Sequence, residues 1–200
     1  MPSVRFDPGL SGPLAQFREW YRKADGAGIA RAEAMALATA DPHGRPSVRF
    51  VLLKRCDPRG LVFFTNARSC KGRQLTANPY AAAVFFWERL GRQVIVRGPV
   101  KQIPEAESDE YWESRPRGSQ IAALASNQSE RIGSRRELVA KVRRLEAGLG
   151  NGEVPRPPHW CGFVLRPEAI EFWSERPSRL HDRELFARKG ARWTRTLLQP

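Results

Sequence analysis

Two tight turns of the same composition divide the first half of the chain into short extended segments. Asp-Pro-His-Gly at residues 41–44 and Asp-Pro-Arg-Gly at residues 57–60 combine residue types that are typical of β-turns. The runs beside them, at residues 34–40, 47–54 and 61–65, are rich in apolar side chains. Antiparallel strands joined by short turns are therefore the architecture that this part of the sequence favours.

The rest of the chain alternates helical and extended patterns. Leu14 and Phe17 lie at helical spacing. Ser69 and Ser134 can cap helices, and Pro104 precedes an acidic first turn. The sequence predicts helices at 13–25, 69–78, from 104 onward and at 134–148, and further strands at 80–87, 93–102, 160–166, 169–174 and 183–197.

Many short antiparallel strands with helices between them favour an α+β fold that is mainly β, a small closed barrel with inserted and flanking helices. Two hundred residues suit one domain. We expect this domain at residues 13–200, after a loosely ordered lead at residues 1–12. The three cysteines are odd in number and share no ligand spacing, which favours a cytoplasmic protein without a metal site.

The charge of the chain narrows the class of ligand. The formal net charge is +13, and 28 of the 34 basic residues are arginine. The arginines are scattered rather than gathered in a basic arm, so we expect no nucleic-acid partner. The longest apolar run, at residues 81–87, is too short to span a membrane. A solvated basic surface, with a few arginines directed at a small phosphorylated ligand, explains the composition.

Two segments have the composition of anion sites. Arg49 and Lys54 lie at the ends of an apolar strand, and Lys71 lies at the start of the predicted helix capped by Ser69. Arg115 begins a second segment, Arg-Pro-Arg-Gly-Ser-Gln, before another helix. Either segment could equally be a solvated, basic surface. Two anion sites on one small domain would indicate two phosphorylated ligands.

The densest polar group of the chain is Arg-Leu-His-Asp-Arg at residues 179–183. On a strand, Arg179, His181 and Arg183 would project from one face, with Asp182 on the other. Two flanking guanidiniums would disfavour the cationic form of the histidine. Trp173 could pack in the core or form a wall against a flat ring.

Four motifs together resemble the pyridoxine (pyridoxamine) 5′-phosphate oxidase family. They are Arg-Phe-Val-Leu-Leu-Lys at 49–54, Arg-Pro-Arg-Gly-Ser-Gln at 115–120, Asn-Gln-Ser at 127–129 and Arg-Leu-His-Asp-Arg at 179–183. The resemblance covers nearly the whole chain. It implies an FMN-binding split β-barrel that forms a homodimer, with two active sites at the subunit interface.

The resemblance also implies an activity. The family oxidises pyridoxamine or pyridoxine 5′-phosphate with O₂ to pyridoxal 5′-phosphate, releasing hydrogen peroxide and, from the amine, ammonia. This reaction belongs to the synthesis and salvage of vitamin B6. A related FMN oxidase of another small molecule, such as a phenazine precursor, is the alternative within the fold.

Family positions imply a role for each matching residue. The FMN-binding residues would be Arg49, Phe50, Val51, Leu52, Leu53, Lys54, Phe64, Thr65, Lys71, Gln93, Gln128, Ser129, Trp173 and Arg183. The substrate-binding residues would be Lys54, Tyr111, Arg115, Ser119, Arg179, Leu180 and His181. Arg179 and His181 would lie over the pyridine ring as the catalytic pair, the first orienting the substrate and the second hydrogen-bonding at C4′.

One position departs from the family pattern. A basic residue usually precedes the phosphate-binding lysine, whereas this chain has Cys70 before Lys71. We expect weaker binding of the FMN phosphate unless Arg68 or Arg73 supplies the missing guanidinium.

Overall fold

The computed structural model describes residues 4–200; residues 1–3 of the expected lead lie outside them. The helices are α1 (Gly12–Gly26), α2 (Cys70–Ala77), α3 (Glu105–Glu113), α4 (Arg117–Ala125) and α5 (Arg135–Leu149). The strands are β1 (Arg5–Phe6), β2 (Ala34–Ala40), β3 (Pro46–Leu52), β4 (Arg55–Asp57), β5 (Gly60–Asn66), β6 (Tyr80–Trp87), β7 (Arg92–Gln102), β8 (Trp160–Leu165), β9 (Ala169–Ser174), β10 (Asp182–Lys189) and β11 (Arg192–Leu197). The predicted α+β, mainly β fold with inserted and flanking helices is confirmed.

Strand β7 organises the sheet. Its first part, Arg92 to Arg97, pairs with β9, and its last part, Val100 to Gln102, pairs with β8. Strand β6 pairs along its other edge. The full strand order is β1-β4-β5-β8-β7-β6-β2-β3, and β9 continues from β7 to β10 and β11. The sheet therefore divides along β7 into two branches.

Helix α1 covers one side of the core because its apolar residues recur on one face. Leu14, Phe17 and Tyr21 are buried. The ring of Phe17 lies 5.0 Å from that of Phe85 and stacks at 6.2 Å on Trp87. Such aromatic contacts bury large apolar areas and fix the helix against β6.

Helices α3, α4 and α5 pack over a smaller core beside β5 and β8. Trp112, Ile121, Val154 and Trp160 form its buried centre. Ser134 caps α5 as the sequence predicted, since its Oγ accepts a hydrogen bond from the Glu137 amide at 3.2 Å. This helical layer places the residues of α3 and α4 over the edge of the sheet. Within residues 4–200, no helix combines the length and the apolar character needed to cross a membrane.

The start of the described chain differs from the expected loose lead. Strand β1 pairs in parallel with β4. Val4 and Leu10 are buried, and the ring of Phe6 lies 5.0 Å from that of Tyr21. The prolines and glycines of this segment indicated a loop, but its apolar residues at 4, 6 and 10 pack against α1 and the core.

The C-terminal region also differs from the prediction of one strand at 183–197. Strands β10 and β11 form a hairpin that turns at Gly190, where φ is 61°. The Gly190 turn is the local signal that separates them, because glycine adopts positive φ without steric cost.

We predict that Gly98→Ala lowers the free energy of unfolding by about 1–3 kcal/mol, because added volume strains a packed site. The link between β8 and β9 hydrogen-bonds to Arg97 and Pro99 of β7, and a Cβ at Gly98 would lie 2.0 Å from the Arg166 carbonyl oxygen. Urea unfolding measures the change.

Gly148→Ala is the matched control. It lies in α5 with no heavy atom within 4 Å of the added Cβ. We expect its free energy of unfolding to rise by about 0.5–1 kcal/mol, the helix penalty of glycine. Wild-type stability in Gly98→Ala would contradict the close approach of the β8–β9 link.

Candidate active site

A cleft of ≈ 490 Å³ opens between the edge of the sheet and the helical layer. It gathers residues from β3, β5, α2, α3 and α4. Eleven of the residues proposed from the sequence line it: Phe50, Val51, Leu52, Lys54, Phe64, Thr65, Lys71, Tyr111, Arg115, Ser119 and Gln128. Both proposed anion sites thus belong to one cleft.

Lys71 marks one end of the cleft. Its ammonium donates hydrogen bonds to Thr65 Oγ1 at 3.1 Å, Gln128 Oε1 at 3.0 Å and Ser69 Oγ at 3.4 Å. The residue is only 7% exposed, and among residues 4–200 it has no ion-pair partner. Burial, and then the nearby charge of Arg49, lower its pKa. A buried cation held only by neutral groups suits an anionic ligand, since buried charges are otherwise paired.

The start of α2 and the loop at 128–129 are joined at this end. Ser69 caps α2 by accepting a hydrogen bond from the Gly72 amide, and the Cys70 amide donates to Ser129 Oγ at 3.1 Å. The positive end of a helix start adds to the preference for an anion. Of the two arginines expected to replace the missing guanidinium, Arg73 donates instead to the carbonyl oxygen of Arg68.

Arg49 is held by a network that the sequence analysis missed. Its Nη1 donates to Leu37 O at 3.0 Å and Thr39 Oγ1 at 2.7 Å. Its Nη2 donates to Ser47 Oγ at 2.6 Å and Gln74 Oε1 at 3.4 Å. Burial lowers the pKa of the guanidinium. Arg49 therefore contributes fixed positive charge beside Lys71. Leu53 of the same motif is fully buried in the core.

Arg115 and Lys54 mark the other end of the cleft. Arg115 Nη2 donates to the Ser119 carbonyl oxygen at 3.1 Å, whereas its buried Nη1 has no hydrogen-bond partner in the described chain. Burial lowers the pKa of Arg115. Burial is also the main cause of a lowered pKa at Lys54, to which the charge of Arg115 adds. An unpaired buried N–H beside a second cation favours an anionic ligand.

The remaining proposed residues form a second group away from this cleft. Gln93, Trp173 and Arg183 are register partners across β7, β9 and β10. The ring of His181 lies 4.6 Å from that of Trp173. None of these four side chains lines the cleft of the same chain. One chain therefore brings together only part of the proposed site.

The strand conformation that would put Arg179, His181 and Arg183 on one face is not present at residues 179–181. Arg179 ends a 3₁₀ turn with φ of 60°, and β10 begins only at Asp182. Arg179, His181 and Arg183 consequently do not share one strand face. His181 Nδ1 accepts a hydrogen bond from the Arg176 amide at 3.2 Å, which leaves Nε2 as the ring nitrogen without a backbone partner. The side chain of Leu180, between Arg179 and His181 in the sequence, is 70% exposed.

Family models match most of the chain. Residues 22–147 match the model of pyridoxamine 5′-phosphate oxidase, and residues 160–200 match the pyridoxine 5′-phosphate oxidase C-terminal dimerisation region. The chain belongs to the pyridoxine/pyridoxamine 5′-phosphate oxidase family. It is therefore an FMN-dependent oxidoreductase.

Curated members of this family are similar over nearly their full length. The pyridoxine/pyridoxamine 5′-phosphate oxidase of Rubrobacter xylanophilus is 51% identical over 94% of this chain and 87% of its own. That of Anaeromyxobacter dehalogenans is 50% identical over 94% and 95%.

Solved structures share the split-barrel fold. The structure of PhzG from Burkholderia lata in complex with tetrahydrophenazine-1-carboxylic acid has a TM-score of 0.91 and 35% identity, over 97% of this chain and 95% of that one. An FMN-binding protein from Nostoc punctiforme has a TM-score of 0.75 at 18% identity, over 96% and 100%, which shows the fold alone.

The residues of the cleft fit FMN. The flavin phosphate suits the region around the buried Lys71 ammonium, with the charge of Arg49 beside it. The start of α2 and the Ser129 loop, joined by the Cys70 amide, bound the same region. The aromatic and apolar lining beyond it, including Phe64 and Val51, suits a flat ring. Within residues 4–200 no three His, Cys, Asp or Glu side chains are grouped as metal ligands.

We predict opposite effects of Lys71→Met on stability and on FMN binding. The FMN-free variant should be as stable as wild type or more so, because a buried charge without a counter-ion is removed. FMN affinity should fall about 10- to 100-fold, the scale of a lost charged hydrogen bond. Thermal unfolding of the flavin-free protein and flavin fluorescence titration measure the two effects.

The exposed Lys101 of β7 supplies the control. Lys101→Met should leave both the unfolding temperature and the FMN affinity unchanged. Unchanged FMN affinity in Lys71→Met would contradict the anion site at the start of α2.

Proposed function

We propose that this protein oxidises pyridoxamine 5′-phosphate and pyridoxine 5′-phosphate with O₂ to pyridoxal 5′-phosphate, in the cytoplasmic synthesis and salvage of vitamin B6. The alcohol and O₂ give the aldehyde and H₂O₂; the amine, O₂ and water give the aldehyde, ammonia and H₂O₂. The observation that carries this proposal is that one aromatic cleft contains two sets of cations without a carboxylate partner in residues 4–200, the buried Lys71 and the half-buried pair Lys54 and Arg115. One end suits the phosphate of FMN, the other that of the substrate.

The proposed FMN site uses the Lys71 end of the cleft. Lys71, Thr65, Gln128 and Ser129 would hold the flavin phosphate together with the charge of Arg49. When bound, FMN supplies the two-electron acceptor of the reaction. The residues of β3 and β5 that line the cleft, among them Phe50, Val51, Leu52 and Phe64, would bound the ring and limit water.

The proposed substrate site uses the other end. Arg115 and Lys54 would bind the substrate phosphate with the hydroxyls of Tyr111 and Ser119, all four of which line the cleft. Binding energy from a group far from the reacting carbon can align C4′ with the flavin, and alignment is worth orders of magnitude in rate. Fixed cations suit this role because they need no rearrangement when the ligand arrives.

We infer that the second group of residues serves the cleft of a partner chain. Gln93, Trp173, Arg183 and His181 lie outside their own cleft, and residues 160–200 match a dimerisation region. In a homodimer these side chains could complete the partner's FMN site. Arg179 and Leu180 would cover the substrate ring. His181 could hydrogen-bond at C4′ through Nε2, because its Nδ1 already accepts a hydrogen bond from the Arg176 amide.

A second candidate is oxidation of another small molecule, such as a phenazine precursor. The high structural similarity to PhzG favours it. The anion site at Lys54 and Arg115 favours a phosphorylated substrate instead, as do the curated relatives at about 50% identity. Peroxide release separates the two activities. We expect release with pyridoxine 5′-phosphate and none with a carboxylated dihydrophenazine; the reverse result would support the second candidate.

We predict that Arg115→Ala raises KM for pyridoxine 5′-phosphate by about 10- to 100-fold, because a charged hydrogen bond to the phosphate is lost. FMN affinity should stay at the wild-type value. The control is Arg117→Ala, since Arg117 instead donates to the carbonyl oxygens of Gly150 and Gly152. Peroxide release measures KM, and an unchanged KM in Arg115→Ala would refute the substrate-phosphate site.

A mixed dimer tests whether the site is shared between chains. His181→Asn and Arg115→Ala homodimers should each have low activity. After subunit exchange, half of the dimers are mixed and carry one site without either substitution, so about a quarter of wild-type activity should return.

Lys54→Met mixed with Arg115→Ala is the control. Both residues line the cleft of one chain, so every site of that mixed dimer keeps one defect and no activity should return. Absence of recovery in the His181→Asn mixture as well would show that His181 serves its own chain.

A further inference from the structure

Arg115 lies on an aromatic surface that no sequence motif indicated. Its guanidinium carbon is 4.7 Å from the ring centre of Trp160 and 5.2 Å from that of Trp112. The two tryptophan rings are 4.9 Å apart at 66°, so they form a corner. Trp112 is itself fixed, because its Nε1 donates to the Val154 carbonyl oxygen at 2.8 Å.

Trp160 also orients the neighbouring rings of the cleft. It is parallel to Phe64 within 9° at 5.3 Å and to Tyr111 within 6° at 6.1 Å. Phe64 and Tyr111 stack on each other at 4.0 Å. Trp160 is 7% exposed and lies at the start of β8, so the sheet holds its position. One ring therefore contacts three residues that line the cleft, two of which, Tyr111 and Arg115, belong to the proposed substrate site.

These contacts restrict the orientation of Arg115. Nη2 is tied to the Ser119 carbonyl oxygen, the guanidinium carbon lies against the corner formed by the two indole rings, and the buried Nη1 has no partner in the described chain. Lys54, Tyr111, Arg115 and Ser119 also line a second cavity of ≈ 710 Å³ that extends towards Arg5 and Glu110. Without the tryptophans, the guanidinium could turn into either cavity.

We propose that Trp160 is a positioning residue: its ring holds the Arg115 guanidinium by a cation–π contact and so fixes this cation beside the proposed site of the substrate phosphate. The proposal rests on the proposed function, of which it refines the substrate site. It also explains why arginine suits this position better than lysine. A planar guanidinium can stack on a ring while it donates at its edge, whereas an ammonium cannot.

The test combines Trp160→Leu with Arg115→Ala in a double-mutant cycle. Trp160→Leu should raise KM for pyridoxine 5′-phosphate and weaken inorganic phosphate binding by roughly tenfold each, the scale of a desolvated cation–π contact. The turnover number of the FMN-loaded enzyme and its FMN affinity should stay near wild type. In the Arg115→Ala background, Trp160→Leu should have a much smaller effect on phosphate affinity, because its contact with the guanidinium is already absent.

Two further variants separate positioning from general loosening. Trp160→Phe keeps an aromatic face and should recover part of the phosphate affinity. Phe163→Leu alters the same strand at a buried ring that stacks on Phe63 at 5.9 Å, away from Arg115. It should lower the unfolding temperature without changing phosphate affinity. Isothermal calorimetry with inorganic phosphate gives the affinities, and thermal unfolding gives the stability.

The outcomes test the positioning role of Trp160 separately from the proposed oxidase function. An equal effect of Trp160→Leu with and without Arg115, or a loss confined to turnover and FMN affinity, would overturn the positioning role. Wild-type protein that binds no inorganic phosphate would overturn it too. If wild type binds phosphate through Arg115 but releases no peroxide with either B6 phosphate, the proposed function fails. The double-mutant cycle measured by inorganic phosphate binding still decides the role of Trp160.

Discussion

Strand β7 shares its backbone hydrogen bonds among three neighbouring strands, and the rest of the structure depends on this pairing. One strand pairs with β6 on one edge and with β9 and then β8 on the other. The link at 166–168 can follow the strand closely because Gly98 has no side chain. The same arrangement sets the proposed site. Strand β8 carries Trp160 to the cleft, while β9 and β10 carry Trp173 and Arg183 to the other branch of the sheet.

Charge placed in the cleft carries a cost in folding free energy that a ligand can offset. Lys71 is buried and Arg115 is half-buried, and neither forms a salt bridge within the described chain. By contrast, Arg59 outside the cleft is paired with Asp57 and Glu107. The Arg59 hydrogen bond is the largest influence on Glu107 and lowers the pKa of that carboxyl to about 2. Arg59 is thus neutralised within its own chain, whereas Lys71 and Arg115 in the cleft have no carboxylate partner among the described residues and suit anionic ligands.

The resemblance predicts a basic residue where this chain has Cys70. Of the two arginines that could replace it, Arg73 is tied to the Arg68 carbonyl oxygen. The amide of Cys70 still donates to Ser129, and Ser69 still caps α2. The proposed anion site therefore relies on the buried Lys71 ammonium rather than on a basic residue before it.

Local patterns in the sequence determined most elements and the residue types of the site. Strands β2 and β6 have the predicted bounds, and Ser69 and Ser134 cap helices as expected. These features depend on neighbours along the chain, which is why sequence reasoning finds them. Tertiary structure alone decided that Trp160 meets Arg115, 45 positions away, that Gln74 holds Arg49, and that Gln93, Trp173 and Arg183 fall in register. It also decided the positive φ at Arg179, so that Arg179, His181 and Arg183 do not share one strand face. Such contacts follow from strand register and packing across the whole fold, and no local pattern of residues encodes them.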